Sequence, residues 1–424
     1  MVKNNLNEKL NPSGKNIRMR RYFDWAASAP AVSAPAASAP FSPSSDNAQA
    51  LFGNPSSQHC EGKAAKAAIE DVRIRCAEVL KVPPETLYFT SGGTESNSIA
   101  LFSNLMKKSK GRVLASTAEH ASVREGMETI EKMGRPTGKI SVDASGRVTE
   151  KTLEKALEKF PDTRFVSIMS VNNETGAVTD IALLKNVIRK KTENSSPVHF
   201  HCDLVQAIGK IPVDINNWEI DSASISAHKI GGPRGIGLLY LRKPFEVFYS
   251  GGGQEKGIRG GTENIIGASV LADCLEKFAK NKEHITDNKE QVIISVEDYF
   301  SQAAARWYKL MNAFSSIDRC TFIPADRFSN ENNSSLIKFS PYILQVAFKD
   351  IPGEVMARAL DDLGFAVSTG SACSSSSPER PVLAAMGVEE KLRIEGIRIS
   401  QGYTTTDEDI DMLTGAITEV LKFL

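Results

Sequence analysis

From residue 60 onward the chain alternates between short apolar strands and amphipathic helical text, and this rhythm limits the fold more than any other feature. "EGKAAKAAIEDVRIRCAEVL" is helix-forming, and the apolar "TLYFT" follows it. "RVLAS", "RFVSIM", "VHFHCD", "SASISA" and "GIGLLYL" come next, with helical stretches starting at Ala121 and Ile181 between them. Strands separated by helices need crossover connections. The expected class is therefore α/β, a mostly parallel sheet with helices on both faces. A stretch from about Glu283 to Trp307 reads as one long helix. After it, "NSSLIKFS", a helix in "GEVMARALDDLG", the strands "FAVST" and "GIRIS", and a closing helix from Asp407 outline a smaller α+β unit.

The 424 residues give room for two domains. The expected division is a flexible tail over 1–20, a large domain over 21–282 and a small domain over 283–424, with 21–52 a candidate to pack on the small one. Residues 26–45 repeat Ser-Ala-Pro three times, and Pro35 and Pro40 forbid an unbroken helix, so composition reads as linker.

Fifty-one Lys plus Arg balance 51 Asp plus Glu, which gives no electrostatic footprint for nucleic acid or an anionic membrane. No apolar run approaches the ~18 residues of a membrane span, and the polar, basic first twenty residues do not read as a secretory signal. The six cysteines (Cys60, Cys76, Cys202, Cys274, Cys320 and Cys373) include no C-x-x-C pair, so neither a disulfide framework nor a metal site is expected. A reducing cytoplasm is the expected setting.

Polar, chemistry-capable residues stand just past several of the strands. "FTSGGTESN" (89–97) is a strand, a glycine turn and helical text, suited either to an anion at a helix N-terminus or to an ordinary capped turn. "STAEHASV" places His120 past a strand, where an imidazole can move protons near neutrality or simply be satisfied structurally. "SVNNETG" offers Asn172 and Asn173 as turn formers or ligand amides. "VHFHCDLVQ" ends a hydrophobic strand in Asp203, a costly place for a carboxylate without a partner. "SISAHKIGGPRGIG" sets Lys229 between apolar flanks, where a desolvated amine can form a Schiff base. An Asp for a pyridinium nitrogen and a Lys for an imine are the pyridoxal phosphate pair. Ligands of open α/β sheets bind beyond the carboxyl ends of strands. Later, "VSTGSACSSSSPERP" holds Cys373 among serines, where an unperturbed thiol would be about 3% thiolate at pH 7.

With these residues in view, the chain resembles the cysteine desulfurases of the NifS/IscS type, class V pyridoxal-phosphate enzymes. "FTSGGTESN", "EH", "VNNETG", "CDLVQ", "SAHKIGGPRGIG", "GGGQEKGIRGGT", "STGSAC" and "IRIS" stand in the family's order and spacing. The resemblance implies a fold type I enzyme, with a large domain on a mostly parallel seven-stranded sheet and a small domain carrying the Cys loop. It implies that Lys229 holds pyridoxal 5′-phosphate and Asp203 pairs its ring nitrogen. Gln206 would bond the phenolic oxygen, and His120 would stack on the ring and shuttle protons. Gly93, Thr94, Ser226 and His228 would hold the phosphate, with Thr262 reaching in from the partner subunit of a homodimer. Asn173 would touch cofactor or substrate, Arg398 would clamp the carboxylate of L-cysteine, and Asn54 would line the substrate site. Cys373 would be the nucleophile that takes the sulfur as a persulfide and passes it to an acceptor or iron–sulfur scaffold protein.

Several positions depart from the family's pattern. Ala227 stands for a usual Gly, Leu204 for a usual Ala, Gly260 for a usual Ser and Tyr403 for a frequent Arg. "FDWAASAP" matches the family's opening loosely, and the text stops at Leu424 without the scaffold-docking tail of some members. A selenocysteine lyase on the same fold and a non-catalytic sulfur carrier are the competing readings. A Cys-His-Asp hydrolase leaves Lys229 unexplained.

Overall fold

The structure is a computed structural model that describes residues 20–30, 52–108, 111–193, 196–279, 296–328, 337–370 and 379–424. The first strand among the described residues is the short β1 (Arg21–Tyr22), and the main sheet follows it. That sheet comprises β2 (Leu87–Thr90), β3 (Arg112–Ser116), β4 (Thr137–Ile140), β5 (Thr163–Met169), β6 (His199–Asp203), β7 (Ser222–Ser226) and β8 (Gly237–Leu241). Their order is β2-β8-β7-β6-β5-β3-β4. Only β8 runs against its neighbours, so β2, β7, β6, β5 and β3 all point the same way.

β7 and β8 are buried at every position, as strands between two helix layers must be. On the faces lie helices such as Cys60–Leu80 packed on Ile265–Ala279, and Gly93–Met106 packed on Ala121–Lys132. Their ends are set locally. Thr149 forms a capping box with Thr152 for helix Glu150–Lys159, and Lys81 closes Cys60–Leu80 in the left-handed conformation.

A second sheet lies toward the C-terminus. β9 (Cys320–Ile323) and β10 (Ile343–Phe348) pair antiparallel, and β12 (Gly396–Ser400) joins the other edge of β10. The short β11 (Phe365–Ala366) pairs in parallel with β1. Asp24 adds a bridge to Ser400, and Phe23 enters the core built by Trp307, Phe314, Phe348, Ile397 and Ile399. Residues 21–24 are thus part of the packing of the C-terminal sheet.

The expected strands and most helices appear where the alternation put them, with three additions. β4 was not expected, because "TGKI" is half exposed and has no apolar run. β9 is partly exposed for the same reason. β10 is the central strand of its sheet, while "NSSLIKFS" contributes only Phe339 to an isolated bridge, residues 333–336 lying outside the described ones. The long helix is described over Val296–Ser315, with Trp307 in its interior rather than at its end, while residues 283–295 of the expected stretch lie outside the described ones. Of residues 26–45, expected as linker, 31–45 lie outside the described ones, while Ala26 and Ala29 are buried. Among the described residues no helix is long and apolar enough to cross a membrane.

Phe23 is 1% exposed and stacks on Phe365 at 6.4 Å. Phe23→Ala should therefore destabilise the protein by about 3–5 kcal/mol, seen as earlier urea unfolding. The exposed Phe52→Ala should leave the transition in place.

Candidate active site

Five strand ends on one edge of the main sheet surround a cavity of about 580 Å³. β2 leads into Gly92–Gly93 and the start of helix Gly93–Met106. β3 leads to His120, β5 to Asn173, β6 ends in Asp203, and β7 runs through Ser226 to Lys229. Arg398, from β12 of the second sheet, closes another wall.

Asp203 is a buried carboxylate on the cavity wall. Its Oδ1 accepts from Val205 N–H at 2.9 Å and its Oδ2 from Asn97 Nδ2 at 2.9 Å, both neutral donors. Because Asn97 spends its amide nitrogen on Asp203, its Oδ1 faces His201 Nε2 at 2.9 Å and must accept. His201 then accepts at Nδ1 from Ser222 Oγ at 2.8 Å, and Ser222 accepts from His199 Nε2 at 2.7 Å. Every link is consistent with neutral imidazoles. Burial pushes both histidines down to about 3. The carboxylate is therefore backed by a directional chain of neutral donors.

Asn97 Nδ2 also contacts Ser122 Oγ at 2.9 Å, which meets His120 Nδ1 at 2.9 Å. His120 caps helix Ala121–Lys132 by accepting Ser122 N–H at Nδ1, 3.1 Å away. A backbone N–H can only donate, so the neutral ring carries its proton on Nε2. Burial lowers the pKa of His120, against the opposing pull of Asp203.

Lys229 Nζ donates to the carbonyls of Ala26 and Ala27 at 2.6 and 2.8 Å. The opening segment is held there by Ala29 N–H on His228 O. Ser226 Oγ meets His228 Nδ1 at 2.8 Å, and burial with the nearby Lys229 charge takes His228 down to about 4. Arg398 is 1% exposed. It donates to Asn173 O at 3.0 Å and to Asp24 Oδ1 at 2.7 Å. Among the described residues, its Nε and the buried Asn173 Oδ1 have no hydrogen-bond partner.

These groups fit pyridoxal phosphate. A carboxylate held by neutral donors suits a protonated ring nitrogen. A helix N-terminus with Ser226 and His228 beside it suits a phosphate. Gly92 has φ +148°, and a Cβ on Gly93 would lie 2.5 Å from Val205 Cγ2, so this turn admits only glycine without movement. Two expected residues are not at the cavity of their own chain. Asn54 is exposed, with its Oδ1 accepting Ser56 N–H, and Thr262 is exposed on a loop. Cys373 lies outside the described residues. Among the described residues no cluster of His, Cys, Asp or Glu is arranged for a metal ion.

Of the departures, Gly260 has a steric reason: a Cβ there would meet Gly251 Cα at 2.5 Å. Tyr403 packs edge-on against Trp25 at 5.0 Å under Lys277 Nζ, and its hydroxyl donates to Pro30 O. Leu204 and Ala227 are both completely buried in the main core.

The family described as Aminotransferase class-V matches residues 21–413. The chain belongs to the class V aminotransferase family. Members of this family use pyridoxal 5′-phosphate. The mitochondrial cysteine desulfurase of Saccharomyces cerevisiae is 35% identical over 88% of this chain and 70% of its own length. The cysteine desulfurase IscS of Dictyoglomus turgidum is 34% identical over 95% of both chains. Among solved structures, a NifS-like protein superposes with TM-score 0.79 at 30% identity, covering 96% of this chain and 100% of its own. SspA in complex with cysteine superposes with TM-score 0.71 at 27% identity, covering 91% and 100%.

The residues that sequence reading passed over are Asn97, Ser122, His201 and Asp24. His201 left one trace, as the second of two histidines alternating with apolar residues in the strand that ends at Asp203. Buried histidines with depressed pKa values take up protons on unfolding, so their contribution is present above about pH 6.5 and is lost as the pH falls toward about 3. Urea midpoints measured across that window should fall with acidity, and fall less steeply in His199→Gln.

Proposed function

We infer that this chain converts L-cysteine to L-alanine and takes the sulfur onto Cys373 as a persulfide, with pyridoxal 5′-phosphate as cofactor. The observation that carries this reading is the meeting around one cavity of Lys229, Asp203, His120 and Arg398. When bound, the cofactor supplies the electron sink that makes the substrate α-proton acidic. Lys229 holds it, Asp203 faces the ring nitrogen and Gln206 the phenolic oxygen. Gly93, Thr94, Ser226 and His228 hold the phosphate. His120, held neutral and oriented by its helix cap, would stack on the ring and move protons there.

Arg398 binds the substrate carboxylate beside Asn173. Its guanidinium is already oriented by Asp24 and the Asn173 carbonyl, which leaves little rotamer freedom to lose on binding. In the sulfur step the Cys373 thiolate forms a bond to the substrate sulfur. The carbon–sulfur bond breaks with its electron pair going to the substrate carbon, which gains a proton and becomes the methyl group of alanine.

The exposure of Thr262 outside its own chain's cavity supports a homodimer in which each protomer completes its partner's site. Names such as IscS among the relatives support delivery of sulfur to an acceptor or iron–sulfur scaffold protein. We place this activity in the cytoplasm, from the spacing of the cysteines. Asn54 belongs to the substrate side of the assembled site.

With cysteine and a reductant, alanine and sulfide should appear in equal amounts. Cys373→Ser should lose sulfide release and keep the yellow cofactor; unchanged turnover would remove Cys373 from its role. Arg398→Lys should raise KM about tenfold or more, since a charge-assisted bond contributes ~1.5–3 kcal/mol, with the cofactor spectrum unaltered.

A further inference from the structure

After Asp203 the chain makes a compact turn over 205–210, in which Ala207 and Ile208 N–H donate to Leu204 O and Lys210 N–H donates to Ala207 O. Gln206 and Lys210, four residues apart, fall on the same side of it. Leu204, Ala207, Ile208 and Ile211 around them are core residues, and Lys210 itself is only 7% exposed. Burying an ammonium is costly, so its contacts carry meaning. Lys210 Nζ donates to Gln206 Oε1 at 2.6 Å.

An ammonium has donors and no acceptor, so the amide oxygen must face Lys210 and the amide nitrogen must face away. Gln206 Nε2 accordingly donates to Ala26 O at 2.9 Å, the carbonyl that also receives Lys229 Nζ at 2.6 Å. The end of Gln206 that meets the cavity is thus a hydrogen-bond donor. Without Lys210 the amide could rotate and present its oxygen there.

We propose that Lys210 is a positioning residue that fixes the Gln206 amide with its N–H toward the cofactor's phenolic oxygen, and that its charge opposes protonation of the Lys229 nitrogen in the holoenzyme. This rests on the pyridoxal phosphate reading above. The charged groups acting on Lys210 are Lys229 and Arg398, both cations, and together with burial they bring it down to about 7. Once Lys229 is bonded to the cofactor it is no longer a free ammonium, and Lys210 keeps its proton more readily.

The test is the pH titration of the visible absorbance band of the purified holoenzyme. A nearby cation disfavours a second positive charge, so removing it raises the midpoint. Lys210→Met and Lys210→Gln should each move the midpoint upward by about one pH unit, and Lys210→Arg should restore it. In a Gln206→Met background the part of the Lys210→Met shift that runs through the amide should disappear, leaving a smaller shift from the lost charge. A midpoint unchanged in either neutral variant with the cofactor still bound would overturn the proposal, as would a fully additive shift in the double variant. A wild-type protein that shows no such band would instead sink the cofactor reading, and this inference with it.

Discussion

A carboxylate as deeply placed as Asp203 has lost water and must be solvated by the protein. The protein supplies neutral donors, Val205 N–H and the Asn97 amide, so the negative charge is stabilised and not cancelled. Most of what surrounds the cavity follows from that choice. Asn97 is locked by two obligations, Asp203 at its nitrogen and His201 at its oxygen, and the same amide touches Ser122, the residue that sets the His120 tautomer. One buried polar network therefore orients both the ring-facing carboxylate and the imidazole. Such a network specifies a single arrangement when all its members are satisfied.

The second dependence runs through the opening segment. β1 pairs with β11, Phe23 fills the C-terminal core, Asp24 holds Arg398, and the Ala26 and Ala27 carbonyls receive Lys229. Seven consecutive residues, 21–27, thus tie the two sheets together across the cavity. The geometry of the lysine and of the arginine depends on the same short stretch, so damage to its packing would reach both ends of the substrate site.

Much of this was legible in the sequence for a physical reason. Strands buried on both faces are continuous apolar runs, and the residue that follows such a run is conspicuous when it is polar, as with Asp203, His120 and Lys229. What stayed hidden was the partnership. Asn97 sits a full helical turn past the glycine turn, in ordinary helical text, and only the fold brings it under Asp203. Asp24 lies just before the Ala/Ser/Pro-rich segment that imitates a linker, and within that segment the Ala26 and Ala27 carbonyls, which carry no sequence signature, receive Lys229. β10 was missed because Gln345 interrupts its five apolar residues, and Pro341 just before it and the charged Lys349–Asp350 turn just after it offered no strand-and-turn pattern.

Two buried or half-buried amines lie near the cavity, Lys229 on its wall and Lys210 behind Gln206, and the account assigns them different work. Borohydride reduction of the yellow holoenzyme followed by peptide mass mapping separates them directly. The reduced cofactor should appear on the peptide containing Lys229 and none on Lys210. Cofactor on Lys210, on another residue, or on no peptide at all would contradict it.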